Sequence, residues 1–230
     1  MDLARAFSYV LDDEQWIVTV LIGGLLLLVP ILGPIMLTGF MLEAARNVAA
    51  GNPRPLPRWD RFGEKFIDGL YGIIIQIVYN LPVILFSCLL ACIAVVAVIG
   101  GTSEEEIGIL MAGLSLCIMP VVLLLSIVLQ PVTLAALARY VQTGSLSETL
   151  KVGDVVQITR SDLGAWVVLW LLQILCSFVG SLGSALLVIG VFFTMFYSQA
   201  VFGHLLGQTV QRMNQDTPPP TPYAPPPSYS

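Results

Sequence analysis

The sequence predicts an all-α integral membrane protein. It is read as a helical bundle of five or six transmembrane helices with interfacial amphipathic segments and a disordered Pro-rich C-terminal tail. Three observations carry that prediction. Of the 230 residues, 57% are hydrophobic and only 11% charged, with a mean hydropathy of +0.87, far less charge than a soluble surface of this size carries. The apolar residues form long uncharged runs: Trp16 to Leu42, Gly69 to Ser103 and Ile107 to Ala138, then Leu163 to Gln211 with His204 as its one ionisable group. The cations cluster, with five of the ten Lys and Arg residues between Arg46 and Lys65.

Each run reaches the roughly 20 apolar residues that cross a hydrocarbon core of about 30 Å. Backbone polar groups in lipid must be satisfied within the segment, so the runs are expected to be helical. Strand alternation is absent, against a β-barrel. The chain divides into an N-terminal interfacial segment (1–15), a helical membrane domain (16–212) with basic interfacial segments at about 52–68 and 145–162, and a disordered tail (213–230). The N-terminus lacks the pattern of a signal peptide, because Asp12, Asp13 and Glu14 precede the first run and that run is too long.

Pro30-Ile-Leu-Gly-Pro34 must break or kink a helix in the first run. The run is then either a hairpin, giving six crossings, or one kinked crossing, giving five; the hairpin is preferred. The second and third runs are joined by Gly-Thr-Ser-Glu104-Glu105-Glu106, which has no basic residue. The last run would be about 70 Å long as a single helix, so it must cross twice. Its break is expected at Gly180-Ser-Leu-Gly-Ser184, where glycines make continuation costly.

Lys and Arg are retained on the cytoplasmic side of a membrane. Arg46, Arg54, Arg58, Arg61 and Lys65 follow the first run, and Arg139, Lys151 and Arg160 follow the third. These loops and the tail are therefore placed in the cytoplasm, with the Glu104–Glu106 link outside, in a multi-pass protein of the cytoplasmic membrane. Two segments echo each other as A-R-x-V-x-x-G, at Ala45 to Gly51 and Ala138 to Gly144, suggesting an internal duplication. In each, Arg complements the helix C-terminal dipole and can reach phosphate, while Gly stops the helix. Trp59, Phe62 and Phe66 recur at helical spacing, so residues 57–68 are expected to lie as an amphipathic helix in the headgroup layer. Leu150, Val155, Val156 and Ile158 give the second segment a looser stripe. The residues expected at lipid headgroups are thus Arg46, Arg54, Arg58, Trp59, Arg61, Phe62, Lys65, Phe66 and Arg139.

Little points to chemistry. No P-loop, H-E-x-x-H or G-x-S-x-G occurs, and the runs hold no carboxylate. Cys88, Cys92, Cys117 and Cys176 all lie in apolar runs and are read as small packing residues, with no cofactor or metal site expected. His204 is read as an interfacial or packing residue. Asn80 beside Pro82 and Gln130 beside Pro131 are the candidates for an intramembrane polar site, although interhelical bonding that repairs proline gaps is the simpler reading. The tail carries Pro226-Pro-Ser-Tyr229, a form that small proline-binding domains accept.

Ile22-Gly-Gly-Leu25, Pro30-Ile-Leu, Gly39-Phe40, Ala45-Arg46, Gly51, Pro55-Leu-Pro-Arg-Trp-Asp60 and Asp68-Gly69-Leu70 together resemble an uncharacterised family of prokaryotic polytopic membrane proteins, domain of unknown function 4013. The resemblance spans about Asp12 to Gln211. Family members often carry Lys beside the first Trp; here Ile17 follows Trp16, so that support for a cytoplasmic N-terminus is missing. The resemblance implies no activity and no site residue. The expected function is a non-enzymatic membrane scaffold or accessory module. The alternative is a permease or channel for a small neutral or lipid-like solute. The expected partners are the phospholipid bilayer and a protein or second copy of the chain, with no nucleic acid.

Overall fold

The computed structural model describes residues 1–100, 103–186 and 190–216. All regular structure among them is helical: α1 (Leu3–Ser8), α2 (Trp16–Leu27), α3 (Leu32–Ala49), α4 (Phe62–Tyr79), α5 (Leu81–Ile99), α6 (Glu104–Thr143), α7 (Leu146–Thr149), α8 (Val152–Ser161), α9 (Leu163–Ser181) and α10 (Gly190–Asp216). A 3₁₀ turn, Leu182–Leu186, follows α9. Among the described residues, three segments are long and apolar enough to cross a membrane: Leu81–Ile99, Glu104–Thr143 and Leu163–Ser184. A shorter apolar helix spans Trp16–Leu27. Residues 213–216, expected in the disordered tail, are helical, since α10 continues to Asp216; residues 217–230, with Pro226–Tyr229, lie outside the described residues.

α10 is the central helix. From Ala200 to Val210 only Gln208 is less than fully buried, because α3, α9, α2 and α1 all pack around it. A helix that is apolar on every side belongs inside a bundle. Gly203 and Gly207 let it press against α3: a Cβ added at either would fall 2.6 Å from a backbone oxygen, of Met41 or Ala45. This is the small-xxx-small spacing that brings membrane helices together.

The first run is a hairpin. The chain turns through Leu28–Ile31 between α2 and α3, and Gly33 sits against Leu26 and Leu27. Gly23 of α2 and Phe40 of α3 both touch the Phe196 ring. The Trp59 indole donates to the Thr19 carbonyl at 3.0 Å, tying the start of α2 to the loop after α3. Both ends of the hairpin therefore lie at one end of the bundle. The N-terminus is there too: Asp2 N–H donates to Gln208 Oε1 at 2.7 Å.

α4 and α5 form one bent helix. The bend at Asn80 follows from Pro82, which lacks an N–H for the i→i−4 ladder. α3 and α4 cross in backbone contact, where a Cβ on Gly39 would meet Lys65 O at 1.8 Å and one on Gly69 would meet Ile35 O at 1.9 Å. α6 carries Pro120 and Pro131. Thr133 to Val141 are buried except for the partly buried Arg139, whereas N-terminal to Pro131 the described residues are exposed or only partly buried. α5 and the first half of α6 thus leave the bundle as an apolar arm.

Candidate functional site

The basic loops, the N-terminal residues, the C-terminal part of α10 and the ion pairs among the described residues gather at one end of the bundle. Both A-R-x-V-x-x-G copies terminate a helix there. Gly51 and Gly144 have φ of +72° and +63°, the left-handed conformation that stops a helix and that glycine adopts without a Cβ clash. The two arginines then diverge. Arg46 clasps Asp68 with both terminal nitrogens, the second at 3.0 Å, and lies 5.1 Å from the centre of the Tyr140 ring. Tyr140 donates to the same carboxylate at 2.7 Å. Burial alone would lower the Arg46 pKa, but the Asp68 hydrogen bond and charge overcome it and raise the pKa above the ordinary value. Arg139 instead lies 3.8 Å from Glu148 and 4.0 Å from Asp154.

The segment expected as an interfacial helix at 57–68 takes another form. Residues 57–61 are irregular, and the helix begins at Phe62. Trp59 packs inward between Phe40, Phe62 and Phe196, with ring centroids 5.1–5.8 Å away. Three prolines at 53, 55 and 57 keep this stretch out of a helix, and a turn at 59–60 carries Trp59 back onto the hairpin, where it donates to Thr19 O. Lys65 was expected at the headgroups. Its side chain is 0% exposed, with Nζ 2.8 Å from Glu43 and 3.7 Å from Asp60. Arg61 closes the cluster on Glu43 at 2.8 Å and Glu64 at 3.0 Å. Of the remaining residues, Arg54, Arg58, Phe62 and Phe66 are exposed, with Arg54 3.5 Å from Glu14. In the second segment, Val155 and Ile158 of α8 face the protein core, and Leu150 is exposed.

Asn80 and Gln130 share no hydrogen bond among the described residues. Asn80 donates to Gln76 O at 2.9 Å and to Thr133 Oγ1 at 3.2 Å, joining α4 to α6 beside both prolines. Cys88 and Cys92 are exposed on α5 and Cys176 is buried; the Cys117 side chain lies outside the described ones. Among the described residues no cluster of His, Cys, Asp or Glu has the arrangement to hold a metal ion.

Sequence reasoning missed a polar cavity of about 420 Å³ at the same end, lined by α1, the loop after α3, the α8–α9 junction and α10. His204 lines it, 3% exposed, with its ring tilted against Tyr9 and the centroids 4.5 Å apart. No local motif marks this cavity, since its walls come from four separate stretches of chain.

These features define an all-α protein whose uncharged helices could span a bilayer, with a charged, ion-paired end. The chain matches the family described as "Protein of unknown function (DUF4013)" over residues 22–189 and belongs to it. No curated protein and no solved structure matches it.

Proposed function

We propose that this is a multi-pass protein of the cytoplasmic membrane, with its charged end in the cytoplasm, that serves as a non-enzymatic scaffold or accessory module. The carrying observation is the apolar arm. The most apolar windows of α5 and α6 are 0% buried in the isolated chain, with Leu116, Val96 and Ile99 each more than two-thirds exposed. An uncharged surface of that extent needs lipid or another protein against it. The clustered cations support the inward placement of the charged end, and the acidic Glu104–Glu106 turn supports the opposite placement of the arm's tip. The α2–α3 hairpin favours six crossings, because Gly24 near its tip packs on Phe193 close to the start of α10. The permease reading finds less support, since Asn80 already bonds Gln76 and Thr133.

Two measurements test this. In cells with the native cysteines replaced, Glu105→Cys should react with a membrane-impermeant maleimide from outside and Arg58→Cys should not; the reverse pattern refutes the orientation. A photo-crosslinking residue at Val96 or Leu116 should capture protein. Lipid adducts alone, together with solute flux in liposomes that Asn80→Leu abolishes, would replace the scaffold with the permease.

A further inference from the structure

We infer that the cavity between α1 and α10 is a binding site for a phosphate ester, held by the Arg5 guanidinium and the His204 Nε2–H against an apolar wall. The reading begins at Gln208. Its Oε1 accepts from Asp2 N–H at 2.7 Å, so its other terminal atom is the amide nitrogen. That NH₂ donates to Asp2 O at 3.0 Å and lies 3.0 Å from His204 Nδ1. Both Gln208 protons are thereby assigned, and Nδ1 must accept. The neutral ring then carries its proton on Nε2. Nε2 has no hydrogen-bond partner among the described residues, although the residue is 97% buried and lines the cavity. Among the described residues the buried side-chain nitrogens without a partner are Lys65 Nζ and Arg139 Nε; His204 Nε2 is not one of them, so it keeps accessible surface and can donate to a ligand that enters.

The charges around it favour an anion. Two carboxylates border the cavity, and both are engaged by the fold. Asp2 caps α1 by accepting from Arg5 N–H at 3.0 Å. Asp162 caps α9 by accepting from Ala165 N–H at 3.1 Å, and it lies 4.0 Å from Arg212. The Arg5 guanidinium forms no ion pair among the described residues, so it is the cation available to a ligand. Guanidinium recognises phosphate through paired N–H donors. Val48, Pro55, Ile158, Ala165 and Trp166 supply an apolar wall, which suits the organic part of an ester better than a bare ion. The volume falls within the usual range for small-molecule sites. A lipid headgroup and a water-soluble phosphate ester share this chemistry. The inference does not depend on the scaffold reading.

His204 is the only histidine in the chain, so ¹⁵N-histidine labelling of the full-length protein in micelles reports on this site alone. Without ligand, the spectrum should show the Nε2–H tautomer. sn-Glycerol 3-phosphate and dihexanoyl phosphatidic acid are then titrated separately. A shift of the Nε2 signal with either supports the site. A shift with both admits a soluble source, and a shift with the lipid alone identifies a headgroup. Arg5 is exposed and its substitution should leave the fold intact, so Arg5→Gln should weaken binding about tenfold, the worth of a charge-assisted hydrogen bond. Arg58→Gln, outside the cavity, should not. No shift with either probe at millimolar concentration, an Nδ1–H tautomer, or equal weakening by the two variants would overturn the assignment.

Discussion

Lys65 sets the energetics at the scale of single residues. Its ammonium is wholly buried, 2.8 Å from Glu43, in a contact that is an ion pair rather than a well-directed hydrogen bond. Breaking a buried pair from one side strands a charge, which costs about 3–5 kcal/mol. Glu43→Ala leaves only Asp60, at 3.7 Å, and should lower unfolding stability in detergent by about that amount. Arg54→Ala removes an exposed pair with Glu14 and should change stability by less than about 1 kcal/mol. Glu148 carries a pH dependence. The Lys151 hydrogen bond and charge, with Arg139 beyond, hold its carboxyl below the usual carboxylate range. The ionised form is thus favoured in the folded protein. Its contribution is present above the ordinary carboxylate pKa and is lost as pH falls through the lower folded value. Lys151→Gln should return the Glu148 titration, followed by ¹³C NMR, toward the ordinary range. That basic residues cluster here was plain in the sequence. That Lys65 turns inward while Arg58 stays out was not, because both follow the same pattern of alternating charge and only the position of Glu43 on α3 separates them.

At the scale of elements, close helix contact decides the fold. The α3–α4 crossing leaves no room for a side chain at Gly69, whereas Gly63, in the first turn of the same helix, has nothing within 4 Å of a Cβ. Gly69→Ala should therefore destabilise by about 1–3 kcal/mol or more. Gly63→Ala should stabilise by up to about 1 kcal/mol, as expected of Ala over Gly in an open helix. Chemical denaturation of both variants in the same micelle checks the contrast; equal effects would mean that the crossing is looser than described. The helix stops at Gly51 and Gly144 were legible from the repeated motif, because a left-handed terminus needs glycine whatever surrounds it. The contacts of Gly203 and Gly207 have a sequence signal too, the four-residue spacing, but the spacing does not name α3 as the partner. Of the helix expected at 57–68, residues 62–68 are helical and 57–61 are not, for a tertiary reason: packing the Trp59 ring among Phe40, Phe62 and Phe196 overrides the helical periodicity of its neighbours.

At the scale of the whole molecule, the α2–α3 hairpin puts the N-terminus beside the end of α10, through Asp2 and Gln208. Fluorescent-protein fusions to the two termini should therefore report the same side of the membrane; opposite sides would mean that the first run crosses once. The apolar arm hangs on a root where Asn80 bonds Thr133 between Pro82 and Pro131. Asn80→Leu should loosen that root by about 1 kcal/mol, the net worth of one interhelical hydrogen bond, read as faster proteolysis or hydrogen exchange in α5 and the first half of α6.

The sequence alone determined that the chain is helical with segments apolar and long enough to span a bilayer, because that property depends on composition and length and needs no knowledge of neighbours. It also located the helix breaks, which proline and glycine impose locally. Only the tertiary structure decided which way the first run folds, which cations are buried in ion pairs, and that Asp2, Arg5, Asp162 and His204 share a cavity. Those outcomes depend on residues up to about two hundred positions apart meeting in space, and the packing of α10 against α3, α9 and α1 brings them together.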